Sequence, residues 1–307
     1  GSGKTHRLTE EVIAAIDPGR QDAIALEGLV AVTYTKKAAA ELGRRIRRAL
    51  VERKEFERAQ KLPLAYLGTV HAVCLRLVQE FAIDAGLSPE VDVLPGSEAR
   101  LLNQVLEWGL DFDFRQRIQA LADTLQLRWD QLRRRTDWLT PVQDIMALAR
   151  GNRIAAERLP AMAERSLGRL LALLGPEETD AQALDLALVE ALKQAVTNLG
   201  RVDDQTNATE KVRGDVAEAL RRAENHELVW SDWVRLSKLK PGKAASGAVA
   251  LLRETGARVD GHPRMRAELA ELTRGIYEAA RLGLVAYDAW KRKRCAVDFV
   301  DMVDRAL

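Results

Sequence analysis

The sequence predicts an α/β fold in which a short parallel sheet precedes a large block of helices. Three observations predict it. The chain opens with a glycine-rich pentapeptide that runs into an amphipathic helix. An apolar run over 29–34, rich in β-branched residues, is typical of a strand buried on both faces of a parallel sheet. From about residue 97 to 290, nearly every segment has the apolar spacing of a helix.

Helical and strand patterns alternate along the first third of the chain, as in nucleotide-binding α/β domains. Pro18 and Gly19 are expected to end the first helix. Within the helical block, the polar, glycine-containing segments 200–214 and 238–247 are predicted to be flexible. The predicted helices include 8–16, 70–81, 118–132 and 265–279, and the predicted strands are 29–34, 64–67 and 91–94.

Composition narrows the class of protein. The chain has 307 residues, 47% of them hydrophobic and 30% charged, which is enough for one large domain or two smaller ones. The only cysteines, Cys74 and Cys295, predict free thiols rather than a disulfide framework. No apolar run is long enough to cross a bilayer and the start does not resemble a secretory signal, so we expect a cytoplasmic protein without a membrane partner.

Basic residues are clustered although the net charge is only +2. The clusters lie at 44–48, 133–135 and 291–294. Such clusters either neutralise nucleic-acid phosphates or form solvated helix faces, and the sequence leaves both interpretations open.

The opening pentapeptide Gly1-Ser2-Gly3-Lys4-Thr5 has the last five positions of the phosphate-binding motif G-x-x-x-x-G-K-[ST]. Small residues let backbone N–H groups approach phosphate oxygens, and the following helix N-terminus favours an anion. Lys4 is expected to reach the β- and γ-phosphates of ATP, and the Thr5 hydroxyl to bind Mg²⁺.

A second motif lies where the strand over 29–34 gives way to a helix. It places Thr33, Tyr34, Thr35, Lys36 and Lys37 at the carboxyl end of the strand, the edge at which α/β sheets bind ligands. An exposed aromatic ring can stack on a base, while hydroxyls and lysines can hold phosphates. From the residues alone, a plain strand-to-helix junction is the alternative.

A third motif, Gly68-Thr69-Val70-His71, also lies where a predicted strand gives way to a predicted helix. Thr69 is suited to cap the helix that follows. His71 is not expected to act as a catalytic base, since a lone histidine at such a position is more often structural.

These motifs resemble motifs I, Ia and Ib of superfamily 1 DNA helicases of the UvrD/Rep/RecB type. Tyr34 stands where that family usually has Phe, Lys36 where it has Asn, and Val70 where it has Phe. A fourth segment, with Asp298 and Asp301, resembles the family's LDFDDLL sequence. We expect these two carboxylates to be structural rather than metal ligands, because the family's metal carboxylate comes later.

The resemblance implies a partial RecA-like P-loop NTPase sheet interrupted by an inserted all-α subdomain. Residues 1–96 would begin motor domain 1A, 97–285 would form subdomain 1B, and 286–307 would return to 1A. By position, the DNA-contacting residues would be Thr69 and His71 together with those of the second motif, Thr33, Tyr34, Thr35, Lys36 and Lys37.

The function implied is ATP-dependent 3′→5′ translocation on single-stranded DNA with unwinding of duplex DNA, in recombination and repair. The length of the helical block favours the RecB/AddA helicase–nuclease subunits, which implies a partner subunit. The chain alone is expected not to hydrolyse ATP, since the second motor domain and the Walker B carboxylates are missing from it. The alternatives are a P-loop NTPase or kinase of another class and a non-catalytic helical DNA-binding module.

Overall fold

A computed structural model describes residues 4–84, 86, 88, 90–94, 98–127 and 137–306. Within these ranges the chain is mostly helical and has two small parallel sheets. None of the described helices combines the length and the apolar character needed to cross a membrane. The strands are β1 (Val30–Thr33), β2 (Tyr66–Thr69), β3 (Asp92–Val93) and β4 (Ala296–Val297). The α-helices are α1 (Lys4–Ala15), α2 (Lys36–Glu52), α3 (Phe56–Lys61), α4 (Val70–Glu80), α5 (Glu98–Gly109), α6 (Phe112–Thr124), α7 (Leu139–Gly151), α8 (Leu159–Leu173), α9 (Ala181–Arg201), α10 (Asn207–Glu224), α11 (Trp230–Ser237), α12 (Ala250–Ala257), α13 (Pro263–Lys293) and α14 (Phe299–Ala306).

The chain forms two compact units. Unit 1 comprises residues 1–100 and 288–307, and unit 2 comprises residues 101–287. Every described element that lies wholly within unit 2 is helical. Both sheets belong to unit 1, where β1 pairs in parallel with β2 and β3 pairs in parallel with β4.

The core of unit 1 is built from amphipathic helices packed beside β1 and β2. Leu42, Ile46 and Leu50 recur every four residues along α2 and are fully buried. They pack with Ile13 of α1 and with Ile16, which directly follows that helix, in one apolar cluster. Full burial of one such side chain stabilises the fold by about 1.5–3 kcal/mol, so this cluster fixes α1 and α2 against the strands.

Unit 2 has its own core, formed mainly by α9–α12. Leu184, Leu188 and Leu192 line one face of α9, and Val216 of α10 and Trp233 of α11 belong to the same buried cluster. Because the apolar faces of several helices meet here, no strand is needed to close this core.

A buried histidine, His262, lies within the core of unit 2. Its ring lies 4.8 Å from the Trp230 ring and 5.3 Å from the Trp233 ring, measured between centroids. The backbone N–H of Arg264 donates to Nδ1, so Nε2 carries the proton and faces the Asp185 carboxylate at 3.3 Å. Burial lowers the pKa of His262 below its ordinary value, although Asp185 acts in the opposite direction.

Unit 2 should therefore lose stability as the pH falls through and below about 6.5, the ordinary pKa of histidine. The unfolded chain binds a proton in that range while buried His262 stays neutral, so the contribution is complete above this pH and decreases below it. Urea unfolding at several pH values measures the effect. His262→Phe should flatten the dependence, and a matched change of exposed His226 to Asn should leave it intact; equal slopes in the two variants would contradict this.

The strand over 29–34 was predicted to be buried on both faces, and this is wrong for β1. Ala31 is buried, whereas Val30 is 56% exposed and Val32 is 45% exposed. Among the described strands, β1 has a neighbour only in β2. The Tyr66 hydroxyl of β2 donates a hydrogen bond to Glu80 of α4 (2.6 Å). Helix α4 thus contacts Tyr66 but leaves Val30 and Val32 exposed to solvent.

The segments 200–214 and 238–247 were predicted to be flexible, but hydrogen bonds connect them. The N–H of Gly242 donates to Oγ1 of Thr209 (2.8 Å), and the Thr209 hydroxyl donates to the buried Asp204 carboxylate (2.9 Å). The N–H of Thr206 also donates to Asp204, and these bonds lower the pKa of that carboxyl. Polar residues usually indicate an exposed segment, but here they bond to one another.

Three further expectations are corrected or limited. The helix predicted over 118–132 ends at Thr124, and Gln126 has a left-handed φ of 49°; its predicted members Trp129 and Leu132 lie outside the described residues. The second strand begins two residues later than predicted because Leu62–Leu64, with Pro63, form a 3₁₀ turn. The basic cluster 133–135 also lies outside the described residues.

Candidate nucleic-acid interface

The carboxyl ends of β1 and β2 lie side by side at one edge of their sheet. In the parallel register, Thr33 is the partner of Thr69. Each strand runs directly into a helix, since α2 begins at Lys36 and α4 begins at Val70. Two motifs separated in the sequence therefore form one edge, which we call the Thr33–Thr69 edge.

Threonine hydroxyls cap both helices at this edge. The N–H of Ala38 donates to Oγ1 of Thr35 (3.1 Å), and the N–H of Ala72 donates to Oγ1 of Thr69 (3.3 Å). The capping role predicted for Thr69 is confirmed. A capping hydroxyl accepts one bond and keeps its own proton, so both hydroxyls retain a donor for an oxygen of a ligand.

Side chains suited to contact a nucleic acid extend from the edge into solvent. Tyr34 is 98% exposed, and Lys36, Lys37 and His71 are also exposed. Thr33 is half-buried, and its hydroxyl donates to the carbonyl oxygen of Thr35 (3.1 Å). The edge thus combines one free aromatic ring, on which a base can stack, with two ammonium groups and two helix N-termini, which favour an anion.

One contact at this edge was not foreseen from the sequence. The ring of Phe299, at the start of α14, lies against the ring of His71 in an edge-on arrangement with centroids 4.9 Å apart. Helix α14 packs on α4 around the buried Val297 and Met302, with Cys74 beside them. The C-terminal segment therefore supports the Thr69 side of the edge.

Asp298 and Asp301 have the structural role that was predicted for them. Oδ1 of Asp298 accepts the N–H groups of Val300 and Asp301 (both 3.0 Å), and Asp301 accepts the N–H of Asp298 (3.2 Å), which caps α14. The ammonium group of Lys291 lies 2.6 Å from Asp301 and 3.4 Å from Asp298. We call these three residues the Lys291 clamp.

The clamp shows that Lys291 fits neither interpretation offered for the cluster at 291–294. Lys291 is 6% exposed and is held by carboxylates, so its charge is not presented to phosphates. Arg292, Lys293 and Arg294 are exposed. Tertiary pairing separates one lysine from its neighbours here, and the sequence run alone did not indicate it.

The predicted phosphate-binding loop is only partly covered by the structure. Gly1, Ser2 and Gly3 lie outside the described residues. Lys4 and Thr5 form the start of α1, and only their backbone is described. The side chains of Asp17 and Arg53, which follow the C-terminal ends of α1 and α2, approach to 3.9 Å. The C-terminal ends of the two helices therefore lie near each other in unit 1.

Comparison with known proteins gives a consistent result. Residues 1–245 match the family described as the UvrD/REP helicase N-terminal domain. The chain is 35% identical over 115 residues to an ATP-dependent helicase/nuclease subunit of Desulforudis audaxviator, covering 34% of this chain and 9% of that protein. It is 34% identical over 145 residues to the subunit of the same name from Moorella thermoacetica, covering 42% and 10%. The matches span about a tenth of the length of these relatives.

Proposed function

This chain belongs to the UvrD/REP helicase N-terminal domain family, and from that membership we propose that it supplies the ATP-binding loop and part of the single-strand track of an ATP-driven DNA helicase. The observation that carries the proposal is the register of Thr33 with Thr69. This pairing puts two strand-to-helix junctions at one edge, where a single strand of DNA can contact both.

Each group at the Thr33–Thr69 edge has a role in this proposal. The Tyr34 ring stacks on a base, because it is free of protein contacts over nearly its whole surface. Lys36 and Lys37 neutralise phosphates, and the hydroxyls of Thr35 and Thr69 donate to phosphate oxygens. Phe299 holds the His71 ring at the edge, so that His71 contacts the backbone without acting as a base.

Tyr34→Ala should weaken binding of a fluorescein-labelled oligo-dT by about 5- to 150-fold, since stacking on an aromatic ring contributes about 1–3 kcal/mol per base. Fluorescence anisotropy at fixed salt measures it. Tyr34→Phe keeps the ring and should bind as the parent does. Because Tyr34 is 98% exposed, neither change should shift the melting temperature; unchanged affinity of the alanine variant would exclude the stacking role.

The start of α1 fits a nucleotide site. The helix begins at Lys4, directly after the three small residues of the motif, and its first turn has no acidic side chain to repel an anion. Lys4 would hold the β- and γ-phosphates of ATP, and the Thr5 hydroxyl would bind Mg²⁺. When bound, that ion supplies charge neutralisation for phosphoryl transfer to water. Lys4 stabilises the charge that develops on the transferred group.

We assign unit 1 to motor domain 1A, with a partial RecA-like sheet, and unit 2 to an inserted helical subdomain 1B that contacts duplex DNA. The similarity to proteins named ATP-dependent helicase/nuclease subunits favours the RecB/AddA type, working with a partner subunit in recombination and repair. Translocation in the 3′→5′ direction follows from the motif resemblance. Directional unwinding of tailed duplexes by the longer protein tests the assignment, and unwinding only from 5′ tails would oppose it.

Membership of this family argues against the alternative that the chain is a P-loop kinase of another class. A non-catalytic helical module remains the competing function. It predicts that replacing Lys4 with Ala leaves ATP turnover unchanged.

A further inference from the structure

A groove of about 260 Å³ lies on unit 1 beside the amino-terminal half of β2. One wall is a face of α2, whose lining positions recur with helical spacing. The floor is apolar and belongs to the segment that leads into β2. The groove is lined by Ala40, Gly43, Arg44, Arg47, Leu62, Pro63, Ala65, Leu67 and Arg76.

The groove is separate from the Thr33–Thr69 edge. Its floor residues Leu62, Pro63 and Ala65 precede β2, whereas Thr69 is the last residue of that strand. None of the side chains assigned above to DNA or nucleotide binding lines it. It therefore has no part in the proposed helicase mechanism.

Three guanidinium groups surround this apolar floor, and no carboxylate of the described part of the chain lines it. Arg76 is held in place by neutral partners: it donates to the carbonyl oxygens of Ala65 (2.9 Å) and Leu64 (3.0 Å), and its guanidinium stacks over the Tyr66 ring at 4.4 Å. These contacts fix the position of the group. Among the described residues it makes no ion pair, although the Glu80 carboxylate accepts a hydrogen bond from the hydroxyl of the same Tyr66 ring.

The other two guanidiniums also carry excess charge. Among the described residues, Arg47 is exposed and pairs with no carboxylate. Arg44 pairs with Glu41, but that carboxylate is shared with Arg45 and lies outside the groove. The groove thus presents positive charge around an apolar surface.

We propose that this groove binds a short acidic–apolar peptide segment of a partner protein. The exposed guanidinium groups of Arg44 and Arg47 can pair with Asp and Glu carboxylates. The accessible part of the floor, exposed Pro63 and half-buried Leu67, buries an apolar side chain placed between them. A nucleic-acid backbone would pair with the arginines but would leave the apolar floor unused, so the combination favours a peptide.

The test uses the 307-residue chain and a fluorescein-labelled peptide, Asp-Asp-Leu-Asp-Phe, followed by fluorescence anisotropy. Arg47→Glu should weaken binding by roughly tenfold or more, as expected when a charge-assisted hydrogen bond is replaced by repulsion. Gly43→Leu should block the groove by filling it with a side chain, without changing its charge. A Cβ at Gly43 meets no atom within 4 Å, and leucine favours a helix over glycine, so this variant should fold.

Matched controls separate the groove from general charge effects. Arg48→Glu makes the same charge change on the same helix outside the groove, and Gly168→Leu makes the same size change at an open helical position of unit 2; both should bind as the parent does. Replacing Leu and Phe of the peptide by Ser, or Asp by Asn, should each abolish binding. Three results would overturn the proposal. Arg48→Glu could weaken peptide binding as much as Arg47→Glu does, the serine peptide could bind as tightly as the original peptide, or oligo-dT could displace the bound peptide.

Discussion

Lys4→Ala in the longer helicase polypeptide that we propose should lower the rate of DNA-stimulated ATP hydrolysis at least about a hundredfold. Removing one preorganised group that stabilises transition-state charge typically costs about 10²–10³ in rate. Lys4 begins α1 with no acidic residue in the first turn, so no carboxylate of that turn competes with the phosphates for its charge. Phosphate release at saturating oligo-dT measures the rate.

Lys193→Ala, an exposed lysine of α9, is the matched control and should leave the rate unchanged. Single-strand binding should survive in the Lys4 variant, because the Thr33–Thr69 edge is untouched. A variant that binds DNA and still hydrolyses ATP at the parental rate would favour the non-catalytic module.

Lys291→Met should destabilise unit 1 by about 3–5 kcal/mol, the usual cost of removing one partner of a buried ion pair. The Asp298 side chain is fully buried and that of Asp301 is 18% exposed, so both would keep a charge without its counter-ion. The loosened cap would also release α14, whose Phe299 supports His71. Urea unfolding followed by circular dichroism measures the loss.

Two further variants show whether charge is the cause. Lys293→Met, two residues away on the same helix and exposed, should change stability by less than about 0.5 kcal/mol. Adding Asp301→Asn to Lys291→Met should recover part of the loss, because one uncompensated carboxylate is removed. If the double variant is no more stable than the single one, the loss comes from packing rather than from charge.

The elements of unit 1 that carry the motifs could be predicted because their patterns are local. The amphipathic spacing along α4 and the threonine before it placed both the helix and its cap. The pairing of Asp92 with Ala296 could not be predicted, because each strand has only two residues and the partners are distant in the sequence. Short strands carry too little periodicity to identify a partner.

The candidate site was predicted by residue type, while its surroundings were not. Tyr34, Lys36 and Lys37 were expected at the carboxyl end of β1 and lie there, exposed; their contact with DNA remains a prediction. The pairing of Lys291 with Asp301 was missed because a run of basic residues looks alike whether or not one member turns inward. Similarly, Thr209 looked like a loop residue because one of its partners, the N–H of Gly242, comes from a distant segment.

The alignment of Thr33 with Thr69 has a consequence for how this protein can vary. The chain between the two threonines folds as α2, α3 and a 3₁₀ turn, so residues can be inserted or removed at those turns while the strand ends stay level. A slip of one residue within either strand would instead turn every side chain of that strand to the opposite face. The number of residues between the two motifs can therefore vary, whereas the register of β1 with β2 cannot change.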